Sequence, residues 1–120
     1  MKPVLIVEDD FEIRSTLCDV LSSEGYNVLG AENGKAALEL LNKTENLPGL
    51  IIVDLMMPIM DGYEFRNKQL KDKRIASVPT VLFSADGQLI NKAKAAGISE
   101  FIKKPIDLDD LYSLVKKYCD

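Results

Sequence analysis

Asp54 is the residue whose position in this sequence most strongly suggests chemistry. It directly follows an apolar run with β-branched residues, Leu50–Val53. A run of this length and type is typical of a strand buried on both faces, as in a parallel sheet. The acid therefore lies at the carboxyl end of a central strand, which is where open α/β sheets bind their ligands. We take Asp54 as the candidate reactive group.

Further side chains with reactive or ligating groups stand at the ends of three other predicted strands, the first, fourth and fifth. They are Glu8, Asp9, Ser84 and Lys104. The carboxyl ends of parallel strands meet at one edge of a sheet, so these groups are expected to converge on Asp54. Converging carboxylates repel one another unless a cation lies between them, and all-oxygen ligands of this kind suit Mg²⁺. With a hydroxyl and an ammonium nearby, Asp54 could act as a nucleophile that forms an aspartyl phosphate.

The elements that must position these groups alternate between strand and helix along the chain. Apolar runs predict five strands, at Pro3–Val7, Asn27–Ala31, Leu50–Val53, Pro79–Ser84 and Ser99–Lys103. Helical spacing predicts five helices, which begin after Asp10, at Asn33-Gly34, at about Gly62 (ending near Lys73), at Asp86 or Gly87 (ending at Gly97) and at Asp107. This alternation predicts one α/β domain, residues 1–120, with a parallel sheet, helices on both faces and right-handed crossovers.

Each candidate residue, taken alone, also has a purely structural interpretation. Helix caps, turn hydroxyls, solvated strand ends and surface lysines are common roles for such side chains. These interpretations apply to Asp10, Asp61, Ser84, Glu8, Asp9 and Lys104. Phe101, at an alternating position in the last strand, would ordinarily belong to the core. No single residue is specific, but suitable types at four separate strand ends favour the chemical interpretation.

Composition and charge exclude several classes of protein. The formal net charge is −4, with 19 acids and 15 bases, which argues against a duplex-binding surface. Cys18 and Cys119 have no metal-ligand spacing and are expected to be reduced packing residues. The N-terminal segment has neither the pattern of a signal peptide nor the length of a membrane span, so a cytoplasmic location is expected.

The motifs together resemble the receiver domains of two-component response regulators. They are Glu8-Asp9 in LIVEDD, Asp54 with Pro58 and Asp61-Gly62 in DLMMPIMDG, Ser84-Ala85 in LFSAD, and Lys104-Pro105 in KKP. The resemblance covers the whole chain. It implies a flavodoxin-like (βα)5 fold with a five-stranded parallel sheet of order 2-1-3-4-5.

The resemblance also implies a phosphorylation site that uses a metal ion. Asp54 is then the phospho-acceptor, which takes its phosphoryl group from a histidine kinase or a phosphotransfer protein. Mg²⁺, with Mn²⁺ as an alternative, would be held by the side chains of Asp9 and Asp54, by Glu8 through water and by the backbone carbonyl of Met56. No external substrate is expected, so the chain would not be an enzyme in the usual sense.

A conformational switch is the third implication of the resemblance. Ser84 would move to bind a phosphoryl oxygen, Lys104 would pair with the phosphoryl group, and Phe101 would turn inward as Ser84 moves. The face formed by the predicted fourth helix, fifth strand and fifth helix would then change shape. Partner proteins or a second copy of the chain are expected to bind there, whereas direct contact with nucleic acid or a membrane is not.

Three other functions compete with this one. A pseudo-receiver would use the fold only to bind proteins and would lack part of the acid, hydroxyl and lysine set, which this chain has in full. A flavin-binding module would need a loop rich in Ser, Thr or Gly after the first strand, where Glu8, Asp9 and Asp10 would instead repel a bare phosphate. A haloacid-dehalogenase-type phosphatase would need a second Asp two residues after its nucleophile, where Met56 stands.

Two features that vary among members of the family bear on the phosphorylation site. Ser84 stands where many have threonine, so it keeps the hydroxyl but loses a methyl group. Met56 and Asp86 stand at positions that flank the path of the attacking water in relatives. Met56 cannot orient that water by a hydrogen bond, so slower self-dephosphorylation is expected than in a relative with a polar residue there. The sequence leaves open whether the chain is a stand-alone receiver or a piece of a longer regulator.

Overall fold

Five parallel strands form the centre of the molecule. The computed structural model describes residues 1–84, 91, 94, 101–103 and 107–120, with only the backbone at 101 and 103. The strands are β1 (Val4–Val7), β2 (Val28–Ala31), β3 (Leu50–Asp54), β4 (Thr80–Ser84) and β5 (Phe101–Lys103). Their order in the sheet is β2-β1-β3-β4-β5, and all four pairings are parallel. This confirms the predicted flavodoxin-like arrangement.

Four helices lie within the part of the chain that is described. They are α1 (Phe11–Ser23), α2 (Gly34–Lys43), α3 (Gly62–Lys71) and α4 (Leu108–Cys119). Each begins after a residue whose side-chain oxygen accepts a backbone N–H of the first turn, and these caps are Asp10, Asn33, Asp61 and Asp107. Helix α4 is the predicted fifth helix. The predicted fourth helix lies outside the described residues, apart from Asn91 and Lys94.

Two apolar layers, one on each face of the sheet, hold these elements together. Alternate residues of β1 and β3 point to opposite faces, and Val4–Val7 and Leu50–Val53 are all 0% exposed. One layer joins the sheet to α2 and α3 through residues such as Phe65, and the other joins it to α1 and α4 through residues such as Leu111. Burying one such side chain contributes about 1.5–3 kcal/mol, so the central strands are firmly fixed.

Several element ends differ from the prediction. Strands β1 and β4 begin one residue after Pro3 and Pro79, because proline has no N–H to give to a sheet. Helix α3 ends at Lys71 rather than Lys73, since the backbone becomes extended at Asp72. Helix α1 stops as predicted before Gly25, whose φ of 90° is a left-handed conformation that favours glycine.

Both cysteines are free thiols, as predicted. Cys18 is half-buried in α1 and Cys119 is buried at the end of α4. Burial raises the pKa of each thiol, and neighbouring Asp120 raises the pKa of Cys119 further. Neither thiol is therefore an activated nucleophile.

Within the described ranges, none of the helices has the length and apolar character that crossing a bilayer requires.

Candidate functional site

Three carboxylates meet at the carboxyl edge of the sheet. One oxygen from each of Glu8, Asp9 and Asp54 lies within 4.8 Å of the other two. Val7 and Val53 are partners in the β1–β3 register, so Glu8 and Asp54 come next on adjacent strands. Glu8 is 0% and Asp54 is 4% exposed, whereas Asp9 is open to solvent. Two buried acids beside a third repel one another, and hard oxygen donors in this arrangement fit a divalent cation such as Mg²⁺.

Backbone groups orient two of these acids. The N–H of Met56 donates to Oδ1 of Asp54 at 3.0 Å, and the N–H of Asp9 donates to Oε2 of Glu8 at 3.1 Å. The guanidinium of Arg14 also donates to the backbone carbonyl of Glu8 at 2.7 Å, which places a positive charge near the cluster. The carboxylate of Asp54 is thus held on a buried strand and fixed by the loop that follows it. The sequence pattern gave no indication of the bonds from Met56 and Arg14.

Ser84 lies on the strand next to Asp54. Asp54 is the partner of Phe83 in the β3–β4 register, so Ser84 comes one residue further toward the carboxyl edge. Ser84 is 3% exposed. The backbone of Phe101 in β5 pairs with that of Leu82 in β4. The predicted role of the Phe101 side chain lies outside what is described.

Lys104, the predicted partner of the phosphoryl group, also lies outside the described residues. The residues that the structure does place at this edge of the sheet are the three acids, Ser84 and Met56.

The loop after Asp54 returns to the sheet at Gly62. The N–H of Gly62 donates to the carbonyl of Leu55 at 3.1 Å. A Cβ atom at Gly62 would lie 2.8 Å from the carbonyl oxygen of Asp54 and 2.9 Å from Cα of Leu55. Helix α3 therefore begins in contact with the backbone of the acceptor strand at a distance that only glycine permits. The Asp61-Gly62 pair in the sequence indicated the helix start but not this contact.

A cavity of about 750 Å³ lies at the opposite edge of the sheet, between Lys2, Gly49 and Tyr118 among others. It is far from the strand ends that carry the acids, since β1 and β3 both run away from it. Among the described residues, Glu8, Asp9 and Asp54 are the only group of three or more potential metal ligands that lie together. The chemistry of the side chains, rather than the size of a cavity, therefore locates the functional site.

Comparisons of sequence place the chain among proteins of two-component signalling. The family model described as the response regulator receiver domain matches residues 4–116. The chain is 35% identical over 118 residues to sporulation initiation phosphotransferase F of Bacillus subtilis, with 96% of this chain and 91% of that protein covered. It is 38% identical over 115 residues to histidine kinase P4 of Formosa agariphila, with 94% of this chain but only 8% of the kinase covered. It spans 54% of a probable transcriptional regulator, ycf29, of Porphyra purpurea, at 35% identity over 94% of this chain.

Comparisons of structure agree with the sequence matches. The signal receiver domain of a signal transduction histidine kinase from Syntrophus aciditrophicus superposes with a TM-score of 0.86 at 31% identity, with 98% of this chain and 89% of that chain covered. A response regulator receiver protein from Pseudomonas putida superposes with a TM-score of 0.86 at 28% identity, with 98% of each chain covered. The family match over most of the chain, the sheet order and the acid cluster lead to one conclusion: this chain belongs to the response regulator receiver domains of two-component systems.

Proposed function

We propose that Asp54 accepts a phosphoryl group from the phosphohistidine of a histidine kinase or phosphotransfer protein. The observation that carries this proposal is the buried Asp54 carboxylate with Glu8 and Asp9 within 4.8 Å of it. Membership of the receiver family supports the same donor class. Two of the relatives are a histidine kinase and a phosphotransferase, which is consistent with a donor of this class.

The transfer itself is a displacement at phosphorus. An oxygen of the Asp54 carboxylate attacks the phosphorus atom, the P–N bond to the donor imidazole breaks, and the imidazole takes up a proton. The hydrogen bond from the Met56 N–H fixes the rotamer of the Asp54 carboxylate. The attacking oxygen is therefore oriented before the donor arrives, which lowers the entropic cost of reaching the transition state. Strand β3, fully buried up to Asp54, supplies a rigid base for the nucleophile.

Mg²⁺ is the cofactor that the donor set fits. The side chains of Asp9 and Asp54 would hold it, together with Glu8 through water and the backbone carbonyl of Met56. When bound, it offsets negative charge on the carboxylates and on the transferred oxygens. The carboxylates that repel one another in the metal-free protein would then share a cation, which offsets their repulsion. We expect no external substrate, since the acceptor belongs to the chain itself.

The readout begins with the charge that phosphorylation adds. An acyl phosphate on Asp54 brings roughly one more negative charge and strong acceptor oxygens to the edge of the sheet. Ser84 is the described hydroxyl on the adjacent strand, and it would move to bind one of these oxygens while Lys104 pairs with another. Phe101 would then turn inward and change the face formed by the predicted fourth helix, β5 and α4, which is where we expect a partner or a second copy to bind.

Intact-mass measurement tests the central proposal. The protein is incubated with acetyl phosphate and Mg²⁺, and wild type should gain one phosphoryl group that EDTA prevents. Asp54→Ala should gain none, whereas Asp19→Ala, which removes an exposed acid of α1, should behave like wild type. A phosphoryl group on Asp54→Ala, or none on wild type, would show that the acceptor is wrongly assigned.

A further inference from the structure

The loop between β3 and α3 contains a strained turn at Ile59. The N–H of Met60 donates to the carbonyl of Pro58 at 2.7 Å, and φ at Ile59 is 70°. These two features define a γ-turn of the positive-φ form, which is rare and strained, and a β-branched residue is poorly suited to it. The Ile59 side chain is 76% exposed, so burial does not compensate for the strain. Strain of about 1–3 kcal/mol persists only where the surroundings hold the backbone in place.

The first residue of α2 provides that hold. The N–H of Gly34 donates to the carbonyl of Met60 at 3.2 Å. A Cβ atom at Gly34 would lie 2.8 Å from Cγ, 2.9 Å from Sδ and 3.0 Å from the carbonyl oxygen of Met60. Asn33, the buried cap of α2, fixes the helix start by accepting the N–H of Ala36 at 2.8 Å. A side chain at position 34 would therefore displace Met60, so the start of α2 packs directly against the loop.

The loop between β3 and α3 also carries the backbone N–H that orients the Asp54 carboxylate. Met56 donates its N–H to Oδ1 of Asp54, and the chain returns to the sheet where Gly62 bonds to Leu55. The loop is thus attached at two points: Met56 bonds to Asp54, and Met60 bonds to Gly34. A shift at Met60 is expected to reach Met56, because only the short segment 57–59 lies between them.

We propose that Gly34 is a positioning residue for the phosphorylation site. By holding Met60, it keeps the strained loop in the one arrangement in which the Met56 N–H sets the orientation of the Asp54 carboxylate. The consequence for phosphorylation rests on the proposed function of Asp54. The geometric claim, that a change at Gly34 displaces the Met56 N–H, stands on the contacts alone.

The test compares Gly34→Ala with Gly30→Ala. Gly30 is a matched control, because a Cβ there would meet Arg14 at 3.5 Å and Cys18 at 3.6 Å, which are ordinary contacts. The measurements are the amide chemical shift of Met56 by NMR, the Mg²⁺ affinity by calorimetry, and Tm in EDTA. We expect Gly34→Ala to move the Met56 amide resonance and to weaken Mg²⁺ binding by about tenfold, as loss of an outer-shell contact to a ligand commonly does. Gly30→Ala should change neither.

A second substitution checks that the contact with Met60 is the cause. Gly34→Ala/Met60→Ala removes the two nearest side-chain atoms and should return the Met56 amide and the Mg²⁺ affinity toward wild type. Should Gly34→Ala fail to fold, this double variant carries the test. A folded double variant with a wild-type Met56 amide supports the proposal, and a displaced amide or an unfolded chain contradicts it.

The outcome also separates this proposal from the proposed function. Neither the Met56 amide shift nor Mg²⁺ affinity requires a phosphodonor. If Gly34→Ala leaves both at wild-type values, Gly34 has no positioning role, whatever Asp54 does. If wild type takes up no phosphoryl group while the Met56 amide moves in Gly34→Ala, the function of Asp54 is wrong and the positioning role of Gly34 stands.

Discussion

Replacement of Asp54 by asparagine should stabilise the metal-free protein. Asp54 and Glu8 are both buried, and they share the carboxyl edge of the sheet with Asp9. Asparagine has nearly the same shape and keeps an oxygen that can accept the Met56 N–H. The substitution therefore removes one negative charge from the cluster and preserves the contact that orients the side chain.

The size of the effect follows from the spacing of the acids. Two unit charges 4.8 Å apart repel by about 0.9 kcal/mol in water and by about 3.5 kcal/mol at an effective dielectric constant of 20. Asp54 takes part in two such pairs, but Asp9 is exposed, so water screens its share. We expect the free energy of unfolding to rise by about 1–3 kcal/mol, or roughly 4 °C in Tm for each kcal/mol in a chain of this size.

Urea unfolding in EDTA measures this gain, with Asp19→Asn as a control that removes an exposed acid elsewhere on the surface. The measurement is then repeated with Mg²⁺. Wild type should be stabilised by metal binding, whereas Asp54→Asn, which lacks one ligand charge, should gain less, so the difference narrows or reverses. The reasoning fails if Asp54→Asn is no more stable than Asp19→Asn in EDTA, or if Mg²⁺ leaves the difference unchanged.

Four further outcomes are expected. Met56→Asn should shorten the half-life of the phosphoryl group on Asp54, because an amide can orient the attacking water; an unchanged half-life measured by intact mass would contradict this. Phe101→Leu should still be phosphorylated but should bind its phosphorylation-dependent partner more weakly, and loss of phosphorylation would count against a switch role. Gln69→Leu should lower the free energy of unfolding by about 2–4 kcal/mol in urea titrations, because this fully buried amide donates to two backbone carbonyls. A loss of less than about 1 kcal/mol would show that these hydrogen bonds are not important for stability. Cys119 should react with a thiol reagent only at higher pH than its ordinary pKa of 9.0 implies, because burial raises its pKa in the folded state. Unfolding in urea should abolish this protection, and rapid labelling of the folded protein at neutral pH would contradict the prediction.

The convergence of the acids could be predicted from local sequence patterns, because in a parallel sheet the end of each apolar run fixes where the next residue lies. Glu8 and Asp54 each follow an apolar run, and the carboxyl ends of adjacent parallel strands necessarily coincide. Asp10 and Asp61 were likewise predictable as caps, since a short acid at a helix start bonds to the first-turn N–H groups. Strand order required the resemblance to a known family, because alternation of strands and helices fixes the parallel direction but not the sequence of neighbours.

Contacts between distant segments could not be predicted from pattern. Gln69 looks like a surface residue of α3, yet it is 0% exposed and bonds to the carbonyls of Ile75 and Val78. Gly34 looks like an ordinary helix start, and nothing in its neighbours in sequence reveals Met60 lying against it. Ile59 has a positive φ, which β-branched residues disfavour, so a prediction from sequence pattern would not place a turn of this kind at Ile59. In each case tertiary packing overrides what the local sequence favours.

The two ends of the chain meet beside the amino-terminal edge of the sheet. The N–H of Lys2 donates to the carbonyl of Cys119 at 2.8 Å, so both ends leave the molecule from the same place. Strand β3 lies between that place and Asp54, and its rise from Leu50 to Asp54 is about 13 Å. A fluorophore or affinity tag attached at either end would consequently leave the approach of a phosphodonor unobstructed. For the same reason, a short linker could join the ends in a circularly permuted variant without touching the acids.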